Sequence, residues 1–211
     1  GSSDNTFTYA LYDEYGNDVT DLYAVDCKFG ELKVVGGTVY VTTESDKKTF
    51  DGTPLYCHEY MIEGLQENHE AKVVFLNEIV KPGTINNTIS LKIFDEYGNV
   101  LTDYYDVIYE YGILEILPIV LQIETESDKK EYDGTPLTNS NYVIEGTPVS
   151  NHFVIVNVFG SQTEIGSSNN DFSYQILDEN CVDVSYGYDV TTKHGILQVH
   201  KIKVYIITSS A

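Results

Sequence analysis

The segment TESDKKTFDGTPL at 43–55 returns almost unchanged as TESDKKEYDGTPL at 125–137, a displacement of 82 residues. The same displacement relates YDEYGN at 12–17 to FDEYGN at 94–99. Downstream it becomes 83, because Asn68-His69 answers Asn151-His152 and Gly112-Ile113-Leu114 answers Gly195-Ile196-Leu197, which puts a one-residue insertion near Thr147-Pro148. A unit of that length is a whole small domain, too long for one turn of a solenoid, so the chain reads as a piece of a tandem array. Registering the copies gives a partial repeat at 1–37 holding later strands only, complete repeats at 38–118 and 119–200, and at 201–211 the opening strand of a following repeat.

Within a repeat the apolar residues alternate with polar ones, as in Ile89-Ser90-Leu91-Lys92-Ile93 and Val154-Ile155-Val156-Asn157-Val158, and Gly, Pro, Asn and Asp bound the runs. That is the period of strands separated by turns. Abundant Tyr (18) together with Thr, Val and Ile, and Ala only at positions 10, 24, 71 and 211, favour strand over helix. The spacing predicts strands at 38–43, 57–63, 71–77, 88–94 and a short one at 100–102, then a closing hairpin of 105–110 and 113–117 turning at Tyr111-Gly112. About seven short strands in about 80 residues is the complement of an immunoglobulin-like sandwich. The expected fold is therefore all-β, as tandem immunoglobulin-like β-sandwich domains joined by the short linkers Val35-Gly36-Gly37 and Leu117-Pro118-Ile119.

The run Lys130-Glu131-Tyr132-Asp133-Gly134-Thr135-Pro136-Leu137, followed by a Gly-x-Leu-x-Val closing strand such as Gly195-Ile196-Leu197-Gln198-Val199, resembles the YDG/MBG-type bacterial Ig-like repeats. The first copy departs by carrying Phe50 where the motif has Tyr, and the partial repeat lacks the signature region. The resemblance implies a segment of a large secreted or wall-anchored protein, extracellular and on or near the bacterial cell surface.

Charge removes several partner classes. Twelve basic residues, all Lys, stand against 33 acidic ones for a formal charge of −21. Nucleic acid and anionic membrane attract clustered positive surface, so neither is an expected partner. No apolar run approaches the roughly 20 residues that span a bilayer. Gly1-Ser2 reads as an expression scar, and the targeting and anchoring segments of an exported protein are expected outside this segment. Cys27, Cys57 and Cys181 fall at three different register positions, so they form no shared disulfide framework or metal-ligand set.

The residues that invite a chemical role have structural explanations. In the turns built from Asp51, Gly52 and Pro54, and from Asp133, Gly134 and Pro136, Asp bonds the backbone two residues on, Gly takes positive φ and Pro fixes the exit. The DEYGN corners offer Asp13, Asn17 and Asp18, then Asp95, Asn99 and Asp103, the best candidates for a calcium site. Their spacing is not that of an EF-hand loop, and the third copy, Asp178-Glu179-Asn180-Cys181-Val182, lacks the Gly. Tyr23, Tyr105 and Tyr188 share one register position, where an Ig-like sandwich uses a Tyr hydroxyl to bond the preceding backbone. His69 and His152 share another, read as a turn or strand-edge role. No nucleophile elbow, phosphate loop or zinc-protease motif occurs, and the closing strands hold no Asn for a Lys–Asn isopeptide bond. The expectation is a non-enzymatic stalk or spacer without cofactor, catalytic residue or obligatory metal. The alternative is a binding module that uses Tyr-rich loops to hold a host glycan or protein. The out-of-register ends add an expectation of head-to-tail self-association.

Overall fold

The computed structural model describes residues 2–33 and 36–208. The partial repeat supplies β1 (Ser2–Asn5) and β2 (Gly30–Lys33), an antiparallel pair. The first complete repeat supplies β3 (Thr38–Thr43), β4 (Asp46–Thr49), β5 (Tyr60–Glu63), β6 (Glu70–Phe75), β7 (Gly83–Asn86), β8 (Ile89–Phe94), β9 (Asp106–Glu110) and β10 (Ile113–Leu117). The second supplies β11 (Ile119–Thr125), β12 (Asp128–Glu131), β13 (Tyr142–Glu145), β14 (Phe153–Val158), β15 (Gly166–Asn169), β16 (Phe172–Leu177), β17 (Tyr188–Lys193) and β18 (Ile196–His200). The fold is all-β, in several small sheets, with single turns of 3-10 helix as the only helical elements among the described residues.

Each complete repeat uses the same three sheets. In the first they are β5-β3-β9, β6-β8 and β4-β10-β7; in the second, β13-β11-β17, β14-β16 and β12-β18-β15. The opening lane of each repeat, β3 then β4 or β11 then β12, pairs in parallel with its closing lane, β9 then β10 or β17 then β18. Parallel neighbours cannot share a tight hairpin, so the remaining strands of the repeat form the long connection between them.

Contacts divide the chain into two compact units whose boundary differs from the repeat boundary. One comprises Gly1–Thr42, Tyr60–Val74 and Ser90–Glu110. It buries alternate residues of its strands, Val39 and Val41 on β3, Leu91 and Ile93 on β8. The other comprises Thr43–Glu59, Phe75–Ile89 and Tyr111–Ala211. Its main core joins Phe50, Leu55, Leu114 and Ile116 of the first repeat to Leu121, Ile176, Val184 and Tyr188 of the second. A smaller cluster, Leu137, Leu197 and Val199 with Tyr132 against it, repeats the first half of that set.

Phe50 is the centre of the larger core. Only 2% exposed, its ring meets Tyr186 edge-on at 5.7 Å and Tyr188 at 6.0 Å, with His152 also at 6.0 Å. The ring lies so close to the backbone of Gly187 that a Cβ there would fall 2.0 Å from it. The aromatic position of the turn motif is therefore a plug, and glycine is what opens the socket in the following repeat.

Three sequence expectations change. The short strand at 100–102 is a lone bridge between Phe94 and Val100 followed by a 3-10 turn, Thr102–Tyr104, because Thr102 Oγ1 accepts the Ile93 N–H and holds the chain in a tight corner. Strands β4 and β7 carry almost no apolar residue, so alternation could not reveal them. Residues 201–208 form no strand, and 209–211 lie outside the described residues. Val35 of the first linker also lies outside them, while Pro118 is the single residue between β10 and β11.

Truncating the plug tests this core. Phe50→Ala is expected to cost about 3–5 kcal/mol, read as a lowered urea midpoint; a loss under about 1 kcal/mol would show that the ring does not organise the junction.

Candidate functional site

The most elaborate polar arrangement lies where each opening lane breaks between its two strands. The Thr125 hydroxyl donates to the Asn170 carbonyl at 2.7 Å and accepts the Gly195 N–H at 3.0 Å, while Ser127 Oγ accepts the Ile196 N–H at 2.9 Å. The Asn170 side chain donates to the carbonyls of Glu126 and Asn139, and its N–H to the carbonyl of Gly195. The first repeat builds the same node from Thr43, Ser45, Asn87 and Gly112. Thr43, Thr125, Asn87 and Asn170 are all buried. Thus the T-E-S of the repeated motif places two hydroxyls where backbone pairing lapses, and Gly112 and Gly195 leave room for the close approach. Sequence reading saw the motif and missed this purpose. The available signal was the recurrence of Asn87 and Asn170 at one register.

The Asp-Gly-Thr-Pro turns are anchored from outside themselves. Asp51 Oδ1 accepts the Thr53 N–H and hydroxyl and, at 2.7 Å, Lys48 Nζ; Asp133 does the same with Thr135 and Lys130. Gly52 and Gly134 take φ of 82° and 78°, which the turn requires. The Lys48 ammonium, then the Thr53 groups, draw the Asp51 carboxyl down to about 2, and Lys130 acts likewise on Asp133. The lysine three residues ahead of each Asp was legible but unused.

At the DEYGN corners the acids are spent on their own loop. Asp13 accepts from the N–H groups of Tyr15 and Asn17 and from the Asn17 side-chain amide, and Asp95 accepts from Tyr97 and Asn99 in the same way. Asp178 keeps the turn without the amide, through the N–H groups of Asn180 and Val182. Asp18 turns to Thr20. These bonds, led by the Asn17 and Asn99 side chains, hold Asp13 and Asp95 below the usual carboxylate range. The structure thus joins Asp13 to Asn17 and Asp95 to Asn99 as turn pairs, and Asp103 sits apart in the following 3-10 turn. Among the described residues no three His, Cys, Asp or Glu side chains converge as a metal would require.

The register-matched Tyr and His prove to be partners. Tyr188 Oη lies 2.6 Å from His152 Nδ1 and accepts the Val149 N–H, and Tyr105 bonds His69. Burial pushes the Tyr188 hydroxyl up, so it stays protonated and available to His152. The hydroxyl thus reaches a loop 39 residues back rather than the backbone just ahead of it. Tyr23, at the same register, is 61% exposed.

Beside β18 an open concavity of about 860 Å³ is lined by Lys129, Lys130, Gln198, His200 and Lys203 among others. Lys129 and Lys203 are exposed, Lys130 is already engaged by Asp133 and Thr135, and no buried polar side chain is aimed into it. Cys27, Cys57 and Cys181 are free thiols. No known protein family matches the chain, and no curated protein matches it.

Two measurements test these assignments. Thr125→Val strands the Gly195 N–H and the Asn170 carbonyl and should cost about 1–3 kcal/mol for each group left unpaired; an unchanged urea midpoint would refute the bridging role. The Asp51 carboxyl is depressed in the folded state, so its contribution is complete above the unfolded value near 4 and vanishes as pH falls through about 2. Because Asp51 is half exposed, solvent screening limits that contribution to about 1 kcal/mol or less. The stability gap between wild type and Asp51→Asn should therefore close over that window, and a gap constant from pH 6 to pH 2 would contradict the assignment.

Proposed function

We propose that this chain is a non-enzymatic spacer segment of an exported bacterial cell-surface or adhesin-like protein, built of tandem Ig-like domains of the YDG/MBG type. The observation that carries the reading is the parallel pairing of opening and closing lanes. In the second repeat Ile119 lies opposite Tyr188 at one end and Glu131 opposite His200 at the other. A chain entering at the first end therefore leaves at the second, as end-to-end threading needs; an antiparallel pair would return it to its entry point. The single-residue connection at Pro118 and the plug of Phe50 add stiffness to the link between consecutive repeats. Surface location rests on the sequence resemblance, and the acidic surface suits a long soluble molecule.

A second reading has its own support. Tyr15 and Tyr97, at matching corners, are each 81% exposed, and such rings suit stacking on a host glycan or a protein partner. Small-angle scattering on chains carrying one, two and three copies of residues 38–200, joined to a glycan array probed with the whole 211-residue chain, separates the two readings. The spacer reading expects the maximum dimension to grow in proportion to copy number and no glycan signal. A dimension that stops growing, or a glycan signal abolished by Tyr15→Ala with Tyr97→Ala, would overturn it.

A further inference from the structure

We propose that each repeat is a load-bearing clamp, in which tension along the chain is resisted by the opening and closing lanes sliding past one another. The proposal deepens the spacer reading and rests on it for its purpose. Its mechanical content rests on strand register.

The second repeat shows the geometry inside one compact unit. The opening lane pairs from Ile119↔Tyr188 to Glu124↔Lys193, and then from Asp128↔Leu197 to Glu131↔His200. Pulling on the chain ends draws the opening lane toward Ile119 and the closing lane toward His200. Because the lanes are parallel, these pulls are opposed along the strand axis. Every interstrand bond in a lane segment is then loaded together, whereas pulling two paired residues apart sideways breaks bonds one after another.

Two further features fit that loading. The lanes lose backbone pairing between Glu124 and Asp128, and there the Thr125 and Ser127 hydroxyls hold Gly195 and Ile196 across the gap. Both segments are also braced on their outer sides by antiparallel partners, β13 on the first and β15 on the second. The first repeat has matching parallel registers, from Thr38↔Asp106 to Thr42↔Glu110 and from Asp46↔Leu114 to Thr49↔Leu117.

Single-molecule force spectroscopy on the full chain tests this. One set of molecules is held by terminal tags. A second set is held through Val120→Cys and Asp189→Cys, a register pair on adjacent lanes, in a background with Cys27, Cys57 and Cys181 changed to Ala and checked for an unchanged melting transition. Forced unfolding reads the unfolding barrier in each geometry, and end-to-end rupture is expected at about twice the sideways force or more at equal loading rate. Equal forces would overturn the clamp. Should the cysteine variant fail to fold, the unmodified chain still decides: discrete ruptures, one per complete repeat, support the clamp, and a smooth extension without ruptures refutes it. A chain that yields easily yet lengthens with copy number in scattering would sink the clamp and leave the spacer standing. Discrete high-force rupture in a chain that does not lengthen would do the reverse.

Discussion

Two parallel strands side by side, one opening the repeat and the other closing it, set the terms for everything else in each repeat. Their pairing fixes where the chain enters and leaves, and it obliges the intervening strands to form the long connection that parallel neighbours demand. It also creates a difficulty, because strand pairing lapses at the same place in both lanes and leaves backbone groups without a ladder partner. The Thr–Asn–Gly nodes at Thr43 and Thr125 resolve it with side-chain hydroxyls and amides. Burial of Thr43, Asn87, Thr125 and Asn170 is thus a consequence of sheet geometry, which explains polar residues in positions that would otherwise favour aliphatic ones.

Strong alternation carried much of the fold in the sequence itself. Thr38–Thr43 and Ile113–Leu117 have the bounds that their patterns predict, since half-buried strands advertise their buried face at every second residue. Strands with at most one apolar residue carry no such mark: Asp46–Thr49 reads D-K-K-T and Gly83–Asn86 reads G-T-I-N. Parallel register was also invisible, because it depends on which distant segment becomes a neighbour. The turn chemistry of Asp51 and Asp133 was readable from residue type, and so was the lysine three residues ahead of each, whereas the His–Tyr partnerships needed three dimensions. Repetition of a residue at one register announces that something is built there without saying what it touches.

Charge is distributed according to the same economy. With only 12 lysines against 33 acids, Lys48 and Lys130 are held at a turn in each repeat and Lys81 lies over the ring of Tyr186, itself a neighbour of Phe50. The acids of the corners are absorbed into local turn bonds, which lowers their proton affinity without gathering them into a site. The excess of negative charge is thus met by lysine at the Asp-Gly-Thr-Pro turns and by local N–H and amide donors at the corners.

The glycine under the Phe50 ring bears on how an array of this kind can change its copy number. At the register of Gly187 the first repeat has Tyr104, beside its own His69–Tyr105 pair. A second first-type repeat spliced in behind Phe50 would set a Cβ about 2.0 Å from the ring unless the junction shifted. The junction thus sets which repeat can stand where, since a repeat with a glycine seat can follow a phenylalanine plug and one with tyrosine there cannot do so unaltered. Neighbours in the array are in this sense a sentence with word order, although each word is spelled nearly alike.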